Sequence, residues 1–365
     1  MENTENRVYI TKKNKKKRFA FSRVKRRLFK HVWLVRIGIF LVSFAGLLLL
    51  FTIAGRLTGS LGYVDYATHL KNFAFANEAN VETFKGRTNI IILGKGGDGH
   101  DAPDLTDTII FASISHDDGS VNMISLPRDI WVYELRTKLN SLYYWGNQKQ
   151  EDGGLILAKS HVEEIVGQPL HYGIVIDFEG FKEIINVIGG IEVNVKIDFT
   201  DEKYPIAGEE NNECNGDPDF GCRYETITFK RGLQMMDGEG ALKFVRSRNA
   251  KGDEGTDLAR EERQELVIAA VKDKILSPQV LLSPSKLQAL YQISKSAIET
   301  DIDSKAWPVL ARRFIEARER LKTNVLPEEF LLNPPKSYVY DNLYVFVPEA
   351  DGWTQVHEWV EEILY

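Results

Sequence analysis

NIIILGKGGDGHDAPDLTDTIIFASISHDDGSVNMISLPRD, Asn89–Asp129, contains three apolar runs separated by polar turns. NIIILG is a continuous apolar run that ends at glycine, the pattern of a strand buried on both faces. TDTIIFASI (Thr106–Ile114) and SVNMISL (Ser120–Leu126) read as two more strands, joined by the polar SHDDG turn. Downstream, LILAKSHVEEIVG reads as a short helix ending at Gly167, and HYGIVIDF as a strand. EGFKEIINVIGG carries Phe181, Ile184, Ile185 and Ile188 at helical spacing and stops at paired glycines. IEVNVKIDF alternates like a strand with one wet face. DLAREERQELVIAAVKDKIL is an amphipathic helix, its stripe at Leu266, Val267, Ala270, Val271 and Ile275. The chain is mainly helical from Ser277 to about Lys322, and the tail reads as a strand followed by a helix. Strands alternate with helices, though not strictly. The expected class is α/β: an α/β/α sandwich with a mixed central sheet.

Charge divides the 365 residues sharply. Residues 1–36 carry 13 Lys+Arg against 2 acids, so the remaining 33 basic and 50 acidic residues leave the rest of the chain at −17. Directly after this head, WLVRIGIFLVSFAGLLLLFTIAG has no charge from Ile37 to Ala54, long enough to cross the hydrocarbon core as one transmembrane helix. The basic flank predicts a cytoplasmic N-terminus. The rival, a cleaved signal peptide, fits less well: the head is long and no A-x-A-like site follows cleanly. The expected organisation is a basic cytoplasmic tail over 1–31, a transmembrane helix over 32–54, a stalk over 55–85, an extracytoplasmic domain over 86–325 and a C-terminal strand–helix extension over 326–365. Cys214 and Cys222, in CNGDPDFGC, then lie where disulfides persist, and a local disulfide is expected. The short head, abutting the span, gives no sign of nucleic-acid binding, and no helix-turn-helix is visible.

Three segments carry candidate chemistry. If FVRSR is a strand, Arg246 and Arg248 share one face roughly 7 Å apart, an arrangement that calls for an anion between them. On the following helix Asp257, Arg260 and Gln264 form one polar stripe. Arg263 lies off its centre. Guanidinium forks match phosphate oxygens; the alternative is a surface ion-pair network with Glu261 and Glu262. SLPRD places Arg128 and Asp129 at a strand end, where open α/β sheets bind ligands. GKGGDGHDAPDLTDT holds Asp98, Asp101, Asp104 and Asp107 without the order of a P-loop. Such carboxylates suit Mg²⁺, which takes one or two of them together with substrate phosphates. Together these parts predict a phosphoryl-transfer or pyrophosphate site. No Cys–His pair, HExxH or Gly-x-Ser-x-Gly is present.

With those residues in view, the chain resembles the LytR–CpsA–Psr family of membrane-anchored cell-wall transferases. The matching stretches, in the family's order, are LTDT (Leu105–Thr108), SLPRD (Ser125–Asp129), KLNSLYYWG (Lys138–Gly146), DFEGFKEIINVIGGIEVNV, GLQMMDGEGALKFVRSR (Gly232–Arg248) and DLAREERQ (Asp257–Gln264). The resemblance implies transfer of a glycopolymer from a polyprenyl-pyrophosphate carrier to peptidoglycan, with Mg²⁺ bridging the pyrophosphate. It implies that Asp107 holds or orients the metal, that Arg128, Arg246 and Arg248 bind phosphates, and that Arg260 and Gln264 complete the pocket. Asp129 or a loop aspartate is the candidate base. Phe181, Ile184, Ile185 and Ile188 either face the lipid tail or fill the core, with core filling preferred. The chain departs from the family's L-G-x-D pattern, reading Leu93, Gly94, Lys95, Gly96, and has Leu105 where the family usually has arginine. Asp98 or Asp101 would supply the missing carboxylate. That departure keeps two alternatives open: polyprenyl-pyrophosphate hydrolysis, and a non-catalytic lipid-phosphate-binding regulator. The polymer, the acceptor hydroxyl and the oligomeric state are not encoded legibly.

Overall fold

The computed structural model describes residues 76–97, 102–209, 211–317, 320–350 and 352–365; of residues 257, 258 and 261 it describes the backbone. The expected basic tail, the transmembrane segment 32–54 and the stalk up to residue 75 lie outside the described residues, as do Asp98 and Asp101. Among the described residues no helix is long and apolar enough to cross a membrane.

In chain order the strands are β1 (Arg87–Lys95), β2 (Thr106–Ser115), β3 (Val121–Ser125), β4 (Trp131–Val132) and β5 (Thr137–Lys138). The helices α1 (Leu142–Lys149) and α2 (Gly153–Val166) follow, then β6 (Tyr172–Asp177), α3 (Phe178–Ile188), β7 (Ile191–Val195) and β8 (Phe199–Pro205). Next come β9 (Tyr224–Phe229), β10 (Gly232–Met236), α4 (Gly238–Arg246), α5 (Asp257–Ile275), α6 (Pro278–Leu281) and α7 (Pro284–Ser296). The chain ends with β11 (Ile298–Thr300), α8 (Ala306–Glu316), β12 (Leu321–Val325), β13 (Leu331–Leu332), β14 (Val347–Pro348) and α9 (Thr354–Leu364).

The central sheet has the order β11-β6-β1-β2-β3-β12. It is mixed: β1 runs parallel to β6 and antiparallel to β2, and β12 runs parallel to β3. The apolar run of β1 is continuous because both its faces are covered. Ile91 and Leu93 join the core formed with α1, α2 and α9. Ile90 and Ile92 face the core on the other side, with α8. Ile92 is only partly buried, while each of the buried Ile90, Ile91 and Leu93 contributes about 2 kcal/mol. The pairing has a consequence for function. The ends of β1, β3, β6 and β12 and the start of β2 all fall on one edge of the sheet.

A second core lies beside this sheet, built from α3, α4, α5 and the hairpin-like pairs β7·β10 and β8·β9. Ile185 and Ile188 are fully buried in it and Phe181 packs against it, so these three fill the core. Ile184 is half-buried and takes no part in that cluster. The stripe predicted on α5 packs into the same core. Cys214 and Cys222 are joined by a disulfide in the excursion between β8 and β9.

One expectation is corrected. FVRSR is not a strand: its first three residues finish α4, and Ser247 leaves the helix in an extended conformation. Asp237 caps that helix by accepting from Gly240 N at 2.8 Å, and Ala241 and Phe244 fall one turn apart on its buried face. The cap and the 3.6-residue period outweigh the short apolar alternation that reads as a strand. Arg246 and Arg248 therefore do not share a strand face.

Candidate functional site

This edge of the sheet gathers residues from distant parts of the chain. Asp107, at the start of β2, lies on the same strand face as Ile109 and Phe111. Its Oδ1 accepts from Arg128 Nη1, just past the end of β3. Arg248 Nη2 lies 3.8 Å from that same oxygen. Burial pushes the Asp107 carboxyl up, but the guanidinium groups of Arg128, Arg248 and Arg260 more than offset that and hold it below the ordinary carboxylate range. Thus Arg128, Arg248 and Arg260, from three separate elements, act on one carboxylate.

Arg128 is itself held by its surroundings. Its Nε lies 3.4 Å from Asp129 Oδ2, and Lys138 Nζ donates to Asp129 Oδ1 at 2.6 Å. Asn140 N donates to the Arg128 carbonyl, and Thr106 Oγ1 donates to the Asn140 carbonyl, both at 3.1 Å. The KLNS segment therefore ties the end of β3 to the start of β2. Asp129 is buried and engaged by two cations, Arg128 and Lys138.

Arg246 reaches this edge by another route. Its guanidinium stacks 4.3 Å from the ring centre of Phe178, the first residue after β6, and 5.9 Å from that of Tyr204. Such cation–π stacking fixes the plane of the guanidinium. Arg260 is buried on α5, and Gln264 is half-buried one turn further along. The backbone of Asp257 begins α5; its side chain lies outside the described residues. Arg263 is structural: buried, it donates to the carbonyls of Ser247 and Glu254 and to the Glu254 carboxylate.

Sequence reasoning missed several contributors. Lys95 ends β1 on the same face as Leu93, and its Nζ donates to Asp104 Oδ1 at 2.9 Å. Lys138 is the counter-ion of Asp129, and Asp201 holds the segment around Arg248. For Lys138 a signal existed, since it lies in the KLNS stretch. For Asp201 there was none. The glycine loop after β1 crosses directly over Asp177: Gly97 has φ +78°, and a Cβ there would meet the Asp177 Cβ at 2.9 Å.

Arg128, Arg248 and Lys138 contact the carboxylates of Asp107 and Asp129, and with Arg260 and Arg246 they leave this edge with an excess of positive charge. A pyrophosphate diester carries two negative charges. Among the described residues no group of three or more His, Cys, Asp or Glu side chains could hold a metal by itself. Asp107 nonetheless suits Mg²⁺ bound through one carboxylate together with ligand phosphates.

Comparison with known proteins gives a consistent picture. The model of the LytR_cpsA_psr family matches residues 61–361. A polyisoprenyl-teichoic acid–peptidoglycan teichoic acid transferase of Bacillus subtilis, TagV, is 26% identical over 267 residues, covering 71% of this chain and 60% of that protein. The chain thus matches less than two thirds of that relative's length. A transferase of the same description from Enterococcus faecalis, TagU, is 28% identical over 256 residues, covering 68% of this chain and 73% of its own. The crystal structure of Bacillus subtilis TagV superposes with a TM-score of 0.53 at 24% identity, over 77% of this chain and 98% of that one; at that identity the likeness is one of fold.

Proposed function

The chain belongs to the LytR–CpsA–Psr family, and from that premise we propose that it is a phosphotransferase that moves a glycopolymer from a polyprenyl-pyrophosphate carrier to peptidoglycan. The observation that carries this reading is the meeting of Arg128 and Arg248 at Asp107, whose carboxyl is also lowered by Arg260, at one edge of the central sheet. The relatives named above are transferases of teichoic acid to peptidoglycan, which supports the same class of donor and acceptor here.

In the proposed reaction a sugar hydroxyl of peptidoglycan attacks the sugar-proximal phosphorus. A new P–O bond forms and the bridging P–O bond breaks. Its electron pair leaves on polyprenyl phosphate, and the hydroxyl proton passes to a carboxylate. Charge grows on the phosphoryl oxygens and on the leaving phosphate. Preorganised guanidinium groups stabilise that charge, and stabilisation of this kind commonly contributes most to such catalysis. Arg248 and Arg128 face it directly, Arg246 adds a planar donor held by Phe178, and Asp107 keeps the two guanidinium groups apart and oriented. Asp129 and Lys138 hold Arg128. Mg²⁺, when bound through Asp107 and the phosphates, would neutralise part of the pyrophosphate charge. The apolar segment 32–54 would anchor the chain as a single-pass membrane protein with its catalytic domain outside, beside the lipid head group. No nucleic acid takes part.

The test uses the full-length chain in detergent with a lipid-linked glycopolymer, with and without peptidoglycan. Glycopolymer attached to peptidoglycan, with polyprenyl phosphate released, is the expected result. Release of polyprenyl phosphate without attachment would indicate hydrolysis. Binding of the lipid with no turnover would indicate a regulator.

A further inference from the structure

Asp201, on β8, belongs to none of the stretches that carry candidate chemistry. Its side chain is fully buried. Oδ2 accepts from three donors on consecutive residues: Ser247 Oγ at 2.7 Å, Arg248 N at 3.1 Å and Asn249 N at 3.1 Å. Oδ1 accepts from Lys203 N at 2.9 Å. Arg263 grips the same segment from its carbonyl side, donating to Ser247 O at 2.7 Å while its guanidinium lies 4.8 Å from the centre of the Phe199 ring.

A buried carboxylate is a poor way to gain stability, since a well-packed apolar residue often serves as well. What an apolar residue cannot do is collect the N–H groups of two successive residues and a neighbouring hydroxyl. That set of bonds fixes the backbone where the chain leaves α4. Arg248 is the residue so fixed, and its guanidinium is the one that lies 3.8 Å from Asp107. We propose that Asp201 is a positioning residue for the phosphate site: it presets the backbone of Arg248, so that the guanidinium meets the developing phosphoryl charge without rearrangement. This rests on the transferase reading above. Misplacing a reacting or stabilising group by about 1 Å can cost as much as 10² in rate.

Asp201→Asn is the informative change. It keeps the shape, but its single oxygen cannot serve both Oδ1 and Oδ2, so an amide N–H must face a backbone N–H on one side. The experiment is a double-mutant cycle on the full-length chain: wild type, D201N, R248A and D201N/R248A. Transfer kcat and KM with the lipid-linked donor are measured separately, with thermal unfolding recorded for each variant. D201N is expected to lower kcat about tenfold with little change in KM, and R248A about 10². The double variant should be no slower than R248A alone, because Asp201 acts through Arg248. Independent effects that multiply would overturn the positioning role and leave the transferase reading intact. A wild-type rate in R248A would overturn both. Should D201N fail to fold, S247A takes its place in the cycle. It removes one donor and keeps the carboxylate, and a severalfold loss that disappears in the R248A background is expected. A loss that persists there would overturn the proposal.

Discussion

Arg248 Nη2 lies 3.8 Å from Asp107 Oδ1, the same oxygen that accepts from Arg128 Nη1. One carboxylate thus spaces two guanidinium groups brought together from β3 and from the connection after α4. Without it the two cations would repel each other, and Arg128 would keep only its contact with Asp129. Asp107→Ala is therefore expected to lower transfer by at least ~10², and to flatten the dependence of rate on Mg²⁺. A metal titration on the purified variant checks both.

Arg246 depends on its planar shape. Its guanidinium lies 4.3 Å from the ring centre of Phe178 and 5.9 Å from that of Tyr204, a planar stacking that an ammonium does not reproduce. Arg246→Lys should therefore lose most of the activity that Arg246→Ala loses, roughly 10-fold or more. Near-wild-type kinetics in the lysine variant would show that charge alone matters at this position.

The pH dependence of stability follows from two groups. Asp107 is held below the ordinary carboxylate range, because the guanidinium groups around it outweigh the effect of burial. Its contribution is fully present above about pH 4 and is lost as pH falls through its lowered native value. The stability gap between wild type and D107N should shrink in that acidic window, as followed by denaturant unfolding. His116 is pushed down by burial and by Arg313. The folded state then favours the neutral ring, so stability is full above about pH 6.5 and declines as pH drops below it. Replacing His116 with Gln should blunt the decline measured between pH 7 and pH 5.

Gly97 lets the loop after β1 lie against Asp177. Its φ of +78° disfavours a side chain, and the nearest atom to an added Cβ is 2.9 Å away. Gly97→Ala should shift the backbone where it passes Asp177 and reduce transfer, with a loss of thermal stability of about 1 kcal/mol or more. Crystal structures of the variant and of the parent chain would show the shift.

The Cys214–Cys222 bridge closes a short excursion with a sequence separation of 8. Loop-closure entropy for such a ring is worth about 2–3 kcal/mol. Reduction should lower the unfolding midpoint while leaving kcat unchanged, since none of the residues that meet at Asp107 lies in that excursion.

Much of this architecture was legible from pattern alone. The apolar run of β1, the helix stop at Gly167 and the stripe on α5 follow from burial on two faces, a left-handed cap and a 3.6-residue period. The end of α4 was not legible, because Phe244, Val245 and Arg246 are too short a run to distinguish the two periods; the capping by Asp237 decides it. In the site, Arg128, Arg248 and Arg260 stood out because phosphate chemistry favours arginine. Lys95 did not, and Lys138 was marked only by its place in the KLNS stretch: each pairs with a carboxylate nine residues away that the fold turns toward it. Asp201 leaves no mark at all, since its partners are chiefly backbone groups, which every sequence possesses.

The strand made last in the central sheet, β12, lies parallel against β3, and Phe346 N donates to the Asp129 carbonyl at 3.0 Å. The segment bearing Arg128 is therefore braced by residues synthesised more than half the chain later. A nascent polypeptide emerging N-terminus first cannot complete the bracing of this segment until residues as late as Phe346 have been released. Ribosomal stalling or proteolysis near the C-terminus would thus leave a product in which the segment bearing Arg128 is unbraced.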